Sequence, residues 1–433
     1  MNNSTLRTPM LTLGKLIERG IIEISSGFPC GNHNSDGDGV LQVRPFNVTT
    51  NGTITLNMQK HVPVSAAARR PVFETGDIVF NNTNTKELVG KTAVWNGPPG
   101  SVFSNHMTRI RPTDSATSSL YLASAIHAHW VTGRSEMLAR SHVAQASILG
   151  ERFREIEIPW PIESVQVVFA DAFNNVQDSI QIQSDIVKTL SALKGTAMRE
   201  IFTCGLRGEL QKDSEIGLVP ESWEIKTLLE LCTISSGGTP RKSVMEYWNG
   251  DLPWVSGKDL KKPTLDDAID HISEEGAAAG SKIAPADAVL ILVRGMGLAK
   301  DLPVARISRP MAFNQDLKAL ISKTDVTGAF LRSAIYNRKD ALLSRIVPSA
   351  HGTMTLNLND LEGFKIGCPT DPDEVAEIAA TLDAIDAKID LHKRRRALLE
   401  ELFRALLHKL MNDEIRVADL HSSAPQFREE VTA

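Results

Sequence analysis

The chain has few cysteines, no long apolar run and no excess of positive charge. Only Cys30, Cys204, Cys232 and Cys368 occur in 433 residues, and no two form a C-x-x-C pair. Thiols this scarce and this far apart argue against a disulfide framework and fit a reducing, cytoplasmic compartment with free cysteines. No stretch of about 18 or more apolar residues exists, so no membrane span is expected. The opening MNNSTLRTPMLTLGKL lacks the apolar core of a signal peptide. Net charge is −5, so composition announces no nucleic-acid partner, and any basic surface must be local. An apolar fraction of 42% and a charged fraction of 23% are those of an ordinary globular protein.

Catalytic signatures are missing too. Gly90-Lys91-Thr92 ends like a phosphate-binding loop, but Thr85 stands where the first glycine is required. Asn96-Gly97-Pro98-Pro99-Gly100 fails as an amino-methyltransferase tetrad in residue order and for want of the aromatic, and reads as a loop. Gly295-Met296-Gly297 opens no phosphate-binding helix, and Asp213 with Glu224-x-Lys226 is an acid-x-Lys pattern of the kind chance supplies. His127 and His129 are two apart, so a helix puts them on different faces, and no acids complete a zinc set. No catalytic residue and no metal ligand is expected.

What is present is a long periodic stretch, Val165 to Leu206. Phe169, Phe173, Val176 and Ile180 recur at steps of four and three, followed by Val187, Leu190, Ala197 and Ile201. This is the seam of a long amphipathic helix that needs a partner. From Val375 to Met411 the pattern returns: Ile378, Leu382, Ile385 and Ile389 each lie 209 positions after those first four. Gln183 and Lys194 interrupt the first seam, and His392 and Phe403 stand at the matching positions of the second. A fixed offset of about half the chain implies a duplication.

Other anchors share the offset. Ile234-Ser235-Ser236-Gly237 lies 210 positions after Ile24-Ser25-Ser26-Gly27; Asp287 and Val289 lie 210 after Asp77 and Val79; Phe313 and Asn314 align with Phe103 and Asn105 at 209–210; Ile366 and Pro369 follow Ile158 and Pro161 at 208. The expected fold is α+β: two pseudo-repeated mixed α/β domains separated by two long helices that pair as a coiled coil. Connectivity favours an antiparallel pair. Some 40 helical residues span on the order of 60 Å. Two related modules at a fixed separation suit duplex DNA, whose half-sites recur with a helical repeat of ~34 Å. A pseudo-symmetric adaptor for two protein partners, or a coiled-coil scaffold with no DNA role, is the bland alternative.

The run ISSGGTPRKSVMEYWNGDLPWVSGKDLK carries Gly238-Thr239-Pro240, Tyr247-Trp248, Pro253-Trp254-Val255 and Asp259-Leu260. It resembles the start of a target recognition domain of type I restriction–modification specificity subunits. Asn82-Thr83-Asn84-Thr85 with Glu87-Leu88-Val89-Gly90-Lys91 resembles the family's segment after its Gly-Asp-Ile strand. The first copy has Gly27-Phe28-Pro29 in place of Gly-Thr-Pro and Leu41-Gln42-Val43-Arg44 in place of the Pro-Trp pair.

The resemblance implies an N-terminal target recognition domain (1–162), a central spacer helix (163–206), a C-terminal target recognition domain (207–371), a C-terminal spacer helix (372–413) and a tail (414–433). It implies that each domain reads one half of a bipartite gapped site in double-stranded DNA. The helices would dock methyltransferase subunits, and a translocase/nuclease subunit would join them. S-adenosylmethionine, ATP and Mg would enter through those partners, with none bound by this chain, which would be non-catalytic by itself. A methylation-only or other phage-defence complex would use the same subunit.

Phosphate contacts want Lys and Arg, and base readout wants Arg, Lys, Asn and Gln on loops or exposed strands. The DNA-binding candidates of the first domain are therefore Arg44, Arg69, Arg70, Asn82, Asn84, Lys86 and Lys91. Those of the second are Thr239, Arg241, Lys242, Lys258, Lys261, Lys262, Arg294 and Lys300, with Ser256 as a further hydroxyl. Trp248 and Trp254 are expected to pack rather than stack on bases. Lys393-Arg394-Arg395-Arg396 is expected to be a solvated helix face.

Overall fold

The structure is a computed structural model that describes residues 8–348, 352–412 and 414. Apart from Glu414, the expected tail lies outside the described residues. Four helices of ten residues or more occur among them: α1 (Ser119–Val131), α2 (Glu163–Cys204), α3 (Gly328–Asn337) and α4 (Pro372–Met411). The chain divides into two compact units, Met1–Asp185 with Lys393–Ala433, and Ile186–His392. Both long helices cross the division, so each unit owns half of each.

The first unit contains β1 (Met10–Thr12), β2 (Ile22–Ser26), β3 (Val40–Val43), β4 (Ile78–Asn81), β5 (Thr92–Val94), β6 (Val102–Phe103), β7 (Met107–Pro112) and β8 (Glu157–Pro159). An antiparallel sheet runs in the order β2-β7-β4-β5. A second, smaller sheet is built on β3, which lies parallel to β6 with Gln42 opposite Val102 and Val43 opposite Phe103. β1 and β8 pair antiparallel beside these sheets. Helix α1 is apolar for most of its length. Ser118 caps it, its Oγ accepting from the Tyr121 N–H at 3.2 Å, and the Tyr121 hydroxyl donates to the Pro159 carbonyl at 2.8 Å.

The same core takes in both long helices. Phe169, Phe173 and Ile180 of α2 and Phe403, Leu407 and Leu410 of α4 pack with Ile78, Phe80, Tyr121 and Ile158. Phe173 meets Phe403 edge-on at 6.1 Å between ring centres. Each buried Phe or Leu contributes about 1.5–3 kcal/mol, so neither long helix can leave without opening this core.

The second unit repeats the plan with β9 (Glu224–Thr227), β10 (Cys232–Ser236), β11 (Leu252–Val255), β12 (Val289–Leu292), β13 (Val304–Ile307), β14 (Met311–Phe313), β15 (Leu317–Ser322) and β16 (Lys365–Cys368). Its main sheet runs β10-β15-β12-β13, extended by Thr264–Leu265 parallel to β13. Strand β11 lies parallel to β14, Val255 opposite Phe313, and β9 pairs with β16. Met198, Ile201 and Phe202 of α2 and Val375, Ile378 and Leu382 of α4 enter this core. Phe202, Trp223 and Phe330 form an aromatic cluster with ring centres 5.6–6.1 Å apart.

Within this unit the two helices run antiparallel. Lys194 faces Asp386, and twelve residues on, the Leu206 N–H reaches Glu374 at 3.4 Å. Residues at equal places in the two seams therefore do not meet. Phe169, Phe173, Val176 and Ile180 belong to the first core, whereas Ile378 and Leu382 belong to the second and Ile385 and Ile389 line the same unit. Antiparallel packing also explains Lys194 in an apolar seam. Its ammonium donates to both Asp386 oxygens at 2.5 and 2.6 Å, and Arg332 of α3 donates to Oδ2 at 2.9 Å. One carboxylate thus ties both long helices to the second domain.

The Ile-Ser-Ser-Gly repeat has a steric cause. It ends β2 and β10, where the chain crosses the mouth of the parallel pair. A Cβ on Gly27 would lie 2.1–2.6 Å from the Phe103 and Ser104 backbone, and on Gly237 2.2–2.5 Å from the Phe313 and Asn314 carbonyls. Only glycine fits at either place.

Two alignments change. Ile78 pairs with Ile110 but Val289 with Leu320, so β4 and β12 correspond at 211 rather than 210. The left-handed turn residue is Gly76 (φ +89°) in one unit and Asp287 (φ +68°) in the other, which leaves Asp77 without an aspartate counterpart. Asp77 instead holds Arg111 at 2.6 Å, whereas Asp287 accepts from the Gly328 N–H at 2.7 Å. Likewise the Ser104 and Asn314 amides donate to Val43 and Val255, so Asn105 corresponds to Gln315.

Replacing Asp386 with Ala leaves Lys194 and Arg332 buried without their acid. Breaking a buried pair from one side costs about 3–5 kcal/mol. The expected outcome is a marked drop in the unfolding midpoint of the second unit, measured by denaturant titration. A change within error would show that the carboxylate carries no structural load.

His127 is buried on α1; its Nδ1 accepts from the Thr92 N–H and its Nε2 donates to the Thr50 carbonyl, both at 3.2 Å. Burial lowers its pKa to about 4, from 6.5. The unfolded chain therefore takes up the proton first on acidification. Stability is full above about pH 6.5 and falls by roughly 3 kcal/mol on the way to pH 4. His127→Asn is expected to flatten that part of the thermal-melt profile; an unaltered slope would rule the group out.

Candidate nucleic-acid interface

In each unit several strands end at one place. In the second, β10 and β12 end beside the start of β15, with Ser236 opposite Lys318 and Leu292 opposite Leu317. β11 and β14 end there too, since the Asn314 N–H donates to the Val255 carbonyl at 3.0 Å. The loops that leave these ends carry the candidates. Thr239, Arg241 and Lys242 follow β10, Lys258, Lys261 and Lys262 follow β11, and Arg294 and Lys300 follow β12. All but Thr239 are exposed. Lys258 pairs with Asp270 at 2.7 Å; the other basic residues have no ion-pair partner among the described residues.

Two tryptophans brace this surface. The Trp254 indole N–H donates to the Gly238 carbonyl at 3.0 Å, and Trp248 meets Trp254 edge-on at 5.1 Å. The Trp248 N–H donates to the Arg241 carbonyl at 3.3 Å, and Thr239 Oγ1 donates to Gln315 Oε1 at 2.5 Å. Asp259 fixes the next loop by accepting from the Ser256 N–H and hydroxyl at 2.8 and 3.0 Å and from the Ile269 N–H at 3.0 Å. The Gly-Thr-Pro, Tyr-Trp, Pro-Trp and Asp-Leu pieces of the sequence are thus one scaffold that presents two basic loops.

The first unit converges in the same way on Ser104, Asn105 and His106. Here the strand ends enclose a cleft of about 550 Å³ whose walls include Gln42, Arg44, Asn84 and Lys91. Two candidates are engaged by the protein itself. Asn82 is buried, its amide donating to Thr108 Oγ1 at 2.9 Å and to the Asn105 carbonyl at 3.3 Å. Lys91 is 5% exposed, and its ammonium donates to the Val48 carbonyl. Burial lowers its pKa from the usual value. Both satisfy backbone around the cleft and are corrected to structural roles. Arg44 is half-buried in the cleft and Asn84 half-buried at its edge. Lys86 is exposed and pairs with Glu136 at 3.2 Å. Arg69 and Arg70 lie on a separate exposed turn, where Arg70 stacks over Phe28 at 4.8 Å.

Gln42, Asn105, His106 and Gln315 join the site although the sequence did not single them out. The alternation Leu41-Gln42-Val43-Arg44 was the one signal available for Gln42. Elsewhere, Lys393, Arg394 and Arg395 are exposed on α4, and Arg396 lies 3.6 Å from Glu400. The four cysteines are unpaired, and burial pushes Cys232 up to about 12 and Cys368 up to about 11.

A model of the type I restriction modification DNA specificity domain matches residues 220–401. The Escherichia coli type I restriction enzyme EcoR124I/EcoR124II specificity subunit is 32% identical over 220 residues, 49% of this chain and 54% of that one. Residues 220–401 thus carry the likeness to type I restriction–modification specificity subunits. The MjaIX specificity subunit of Methanocaldococcus jannaschii is 28% identical over 211 residues, 47% of each chain. The alignments thus span about half the length of these curated relatives. In fold, the chain is similar to the type I restriction-modification S subunit of M. genitalium, with a TM-score of 0.62 and 12% identity over 95% of this chain and 98% of that one.

Trp254→Phe keeps an aromatic ring at the position and removes the donor to Gly238. A hydrogen bond of this kind contributes about 0.5–1.5 kcal/mol. Tryptic cleavage after Arg241 and Lys242 is expected to accelerate in the native protein. Unchanged cleavage would show that the indole does not brace the loop.

Proposed function

We propose that this chain is the DNA sequence-specificity subunit of a type I restriction–modification complex. Each domain reads one half of a bipartite gapped site in double-stranded DNA, and α2 and α4 set the gap and dock methyltransferase subunits. The observation that carries the reading is one frame built twice, with polar and basic loops of different composition leaving equivalent strand ends. Difference at those tips suits two unlike half-sites; basic loops supply phosphate contacts and Arg, Asn and Gln supply base contacts. Docking is supported by apolar side chains left outward on the long helices, among them Ile182, Leu193 and Leu398, at 54–66% exposure.

In this reading the chain does no chemistry. S-adenosylmethionine arrives with the methyltransferase subunits, and ATP and Mg with a translocase/nuclease subunit. The chain supplies address and spacing.

Methylation mapping of cells carrying the operon tests this. A gapped adenine-methylated motif that disappears with this chain is expected, and absence of any such motif would end the proposal. Exchanging residues 21–160 for those of a relative should alter one half-site and leave the other. Inserting one helical turn into α2 should change the preferred gap; an unchanged gap would remove the spacer role.

A further inference from the structure

The two interfaces differ most at the end of the strand that pairs in parallel. Register places Gln42 with Trp254 and Arg44 with Ser256. Ser256 turns inward to Asp259. Arg44 instead stands in the cleft of the first unit. Gln42 Oε1 accepts from its Nε at 3.1 Å and from its Nη2 at 2.8 Å, and the Cys30 carbonyl accepts from Nη2 at 3.3 Å. These bonds fix the plane of the guanidinium. They leave Nη1, a pure donor, without an acceptor among the described residues.

No carboxylate lines the cleft. Arg44 is a half-buried cation with no ion-pair partner among the described residues, and burial lowers its pKa from the usual value. Beside it Asn84, Asn105 and His106 offer both donors and acceptors. A partly desolvated, pre-oriented donor calls for an acceptor brought in from outside. A phosphate could supply one, but a phosphate contact needs only the charge, whereas a guanidinium held in one plane among side chains of mixed polarity suits the patterned edge of a base. In the major groove guanine shows two acceptors, N7 and O6, adenine an acceptor beside a donor, and cytosine a donor.

We propose that Arg44 is a specificity-determining residue that donates to the acceptor edge of a guanine in the half-site read by the N-terminal domain. This rests on the reading of the chain as a DNA-specificity subunit, and the test separates the two. Wild-type methylation mapping gives the motif, and the exchange of residues 21–160 tells which half-site belongs to this domain. Absence of a gapped motif sinks the functional reading itself. A motif whose N-terminal half-site contains no G·C pair sinks only the role of Arg44.

Given a guanine, the assembled complex is titrated with duplexes carrying guanine or 7-deazaguanine at each candidate position. Loss of the N7 acceptor at one position is expected to weaken wild-type binding about 10-fold or more. In Arg44→Ala the same replacement is expected to have no effect. Arg44→Gln is expected to favour adenine at that position, since Gln suits its acceptor–donor pair. The wild-type arm needs no variant, so a misfolded one cannot spoil the test. If no 7-deazaguanine duplex binds more weakly, or if Arg44→Ala weakens all duplexes alike and lowers the salt slope by about one, Arg44 is a backbone contact and the proposal falls.

Discussion

Neither domain of this chain closes its core without helical segments from both long helices. Phe169, Phe173 and Ile180 come from the start of α2, and Phe403, Leu407 and Leu410 from the end of α4; all sit in one core with Ile78 and Tyr121. The other ends of the same helices, Met198 to Phe202 and Val375 to Leu382, sit in the core with Phe330 and Trp223. A 40-residue helix with a one-sided seam is unstable alone, and its stability comes from what it packs against. The C-terminal helix is therefore part of the N-terminal domain's core and not an appendage. Asp386 adds a directional term: a carboxylate between Lys194 and Arg332 is satisfied in one register only, because sliding the helices would bury unpaired charges.

That constraint was partly legible in the sequence. The period of the two seams and their 209-residue offset were enough to expect two long, pairing helices. Connectivity added their antiparallel direction. The pairing of individual residues was not legible, because direction alone leaves the register open; packing joins Phe173 to Phe403 and Lys194 to Asp386. The polar break in the seam looked like a defect and is a charge pair, visible only once α3 brings Arg332 beside it. The domain frame was legible wherever sterics leave one choice, as at Gly27 and Gly237. It slipped by one residue at Gly76 and Asp287, where two residue types occupy the same left-handed turn.

Site residues were harder to read, and the reason is burial. A lysine in a polar, glycine-containing run looks exposed, yet the Lys91 stem runs inward to the Val48 carbonyl. Asn82 sits among Asn and Thr residues that suggest a loop, yet its amide closes the strand end on Thr108. Both are backbone-satisfying groups, a task that sequence pattern does not distinguish from ligand binding. The exposure of the second domain's basic residues was easier to read, since long charged side chains after strand ends have little reason to turn inward. The two tryptophans show the value of geometry: each indole N–H holds a loop carbonyl, so their rings are occupied in presenting Thr239 and Arg241.

The frame and the tips obey different rules. Gln42 Nε2 donates to the Phe28 carbonyl at 3.1 Å in one domain, and Trp254 Nε1 donates to the Gly238 carbonyl at 3.0 Å in the other. These are the same bond at the same place, made by unlike side chains. The glycine before that carbonyl presses the loop against the parallel strand pair, which brings the carbonyl within reach of the side chain on the neighbouring strand. The donor's identity is open, and that freedom has a consequence. A glutamine leaves room and an oxygen to orient Arg44 in a cleft, whereas an indole fills the space and braces a basic loop against it. One hydrogen bond, met in two ways, thus gives two copies of one frame unlike surfaces at this strand end.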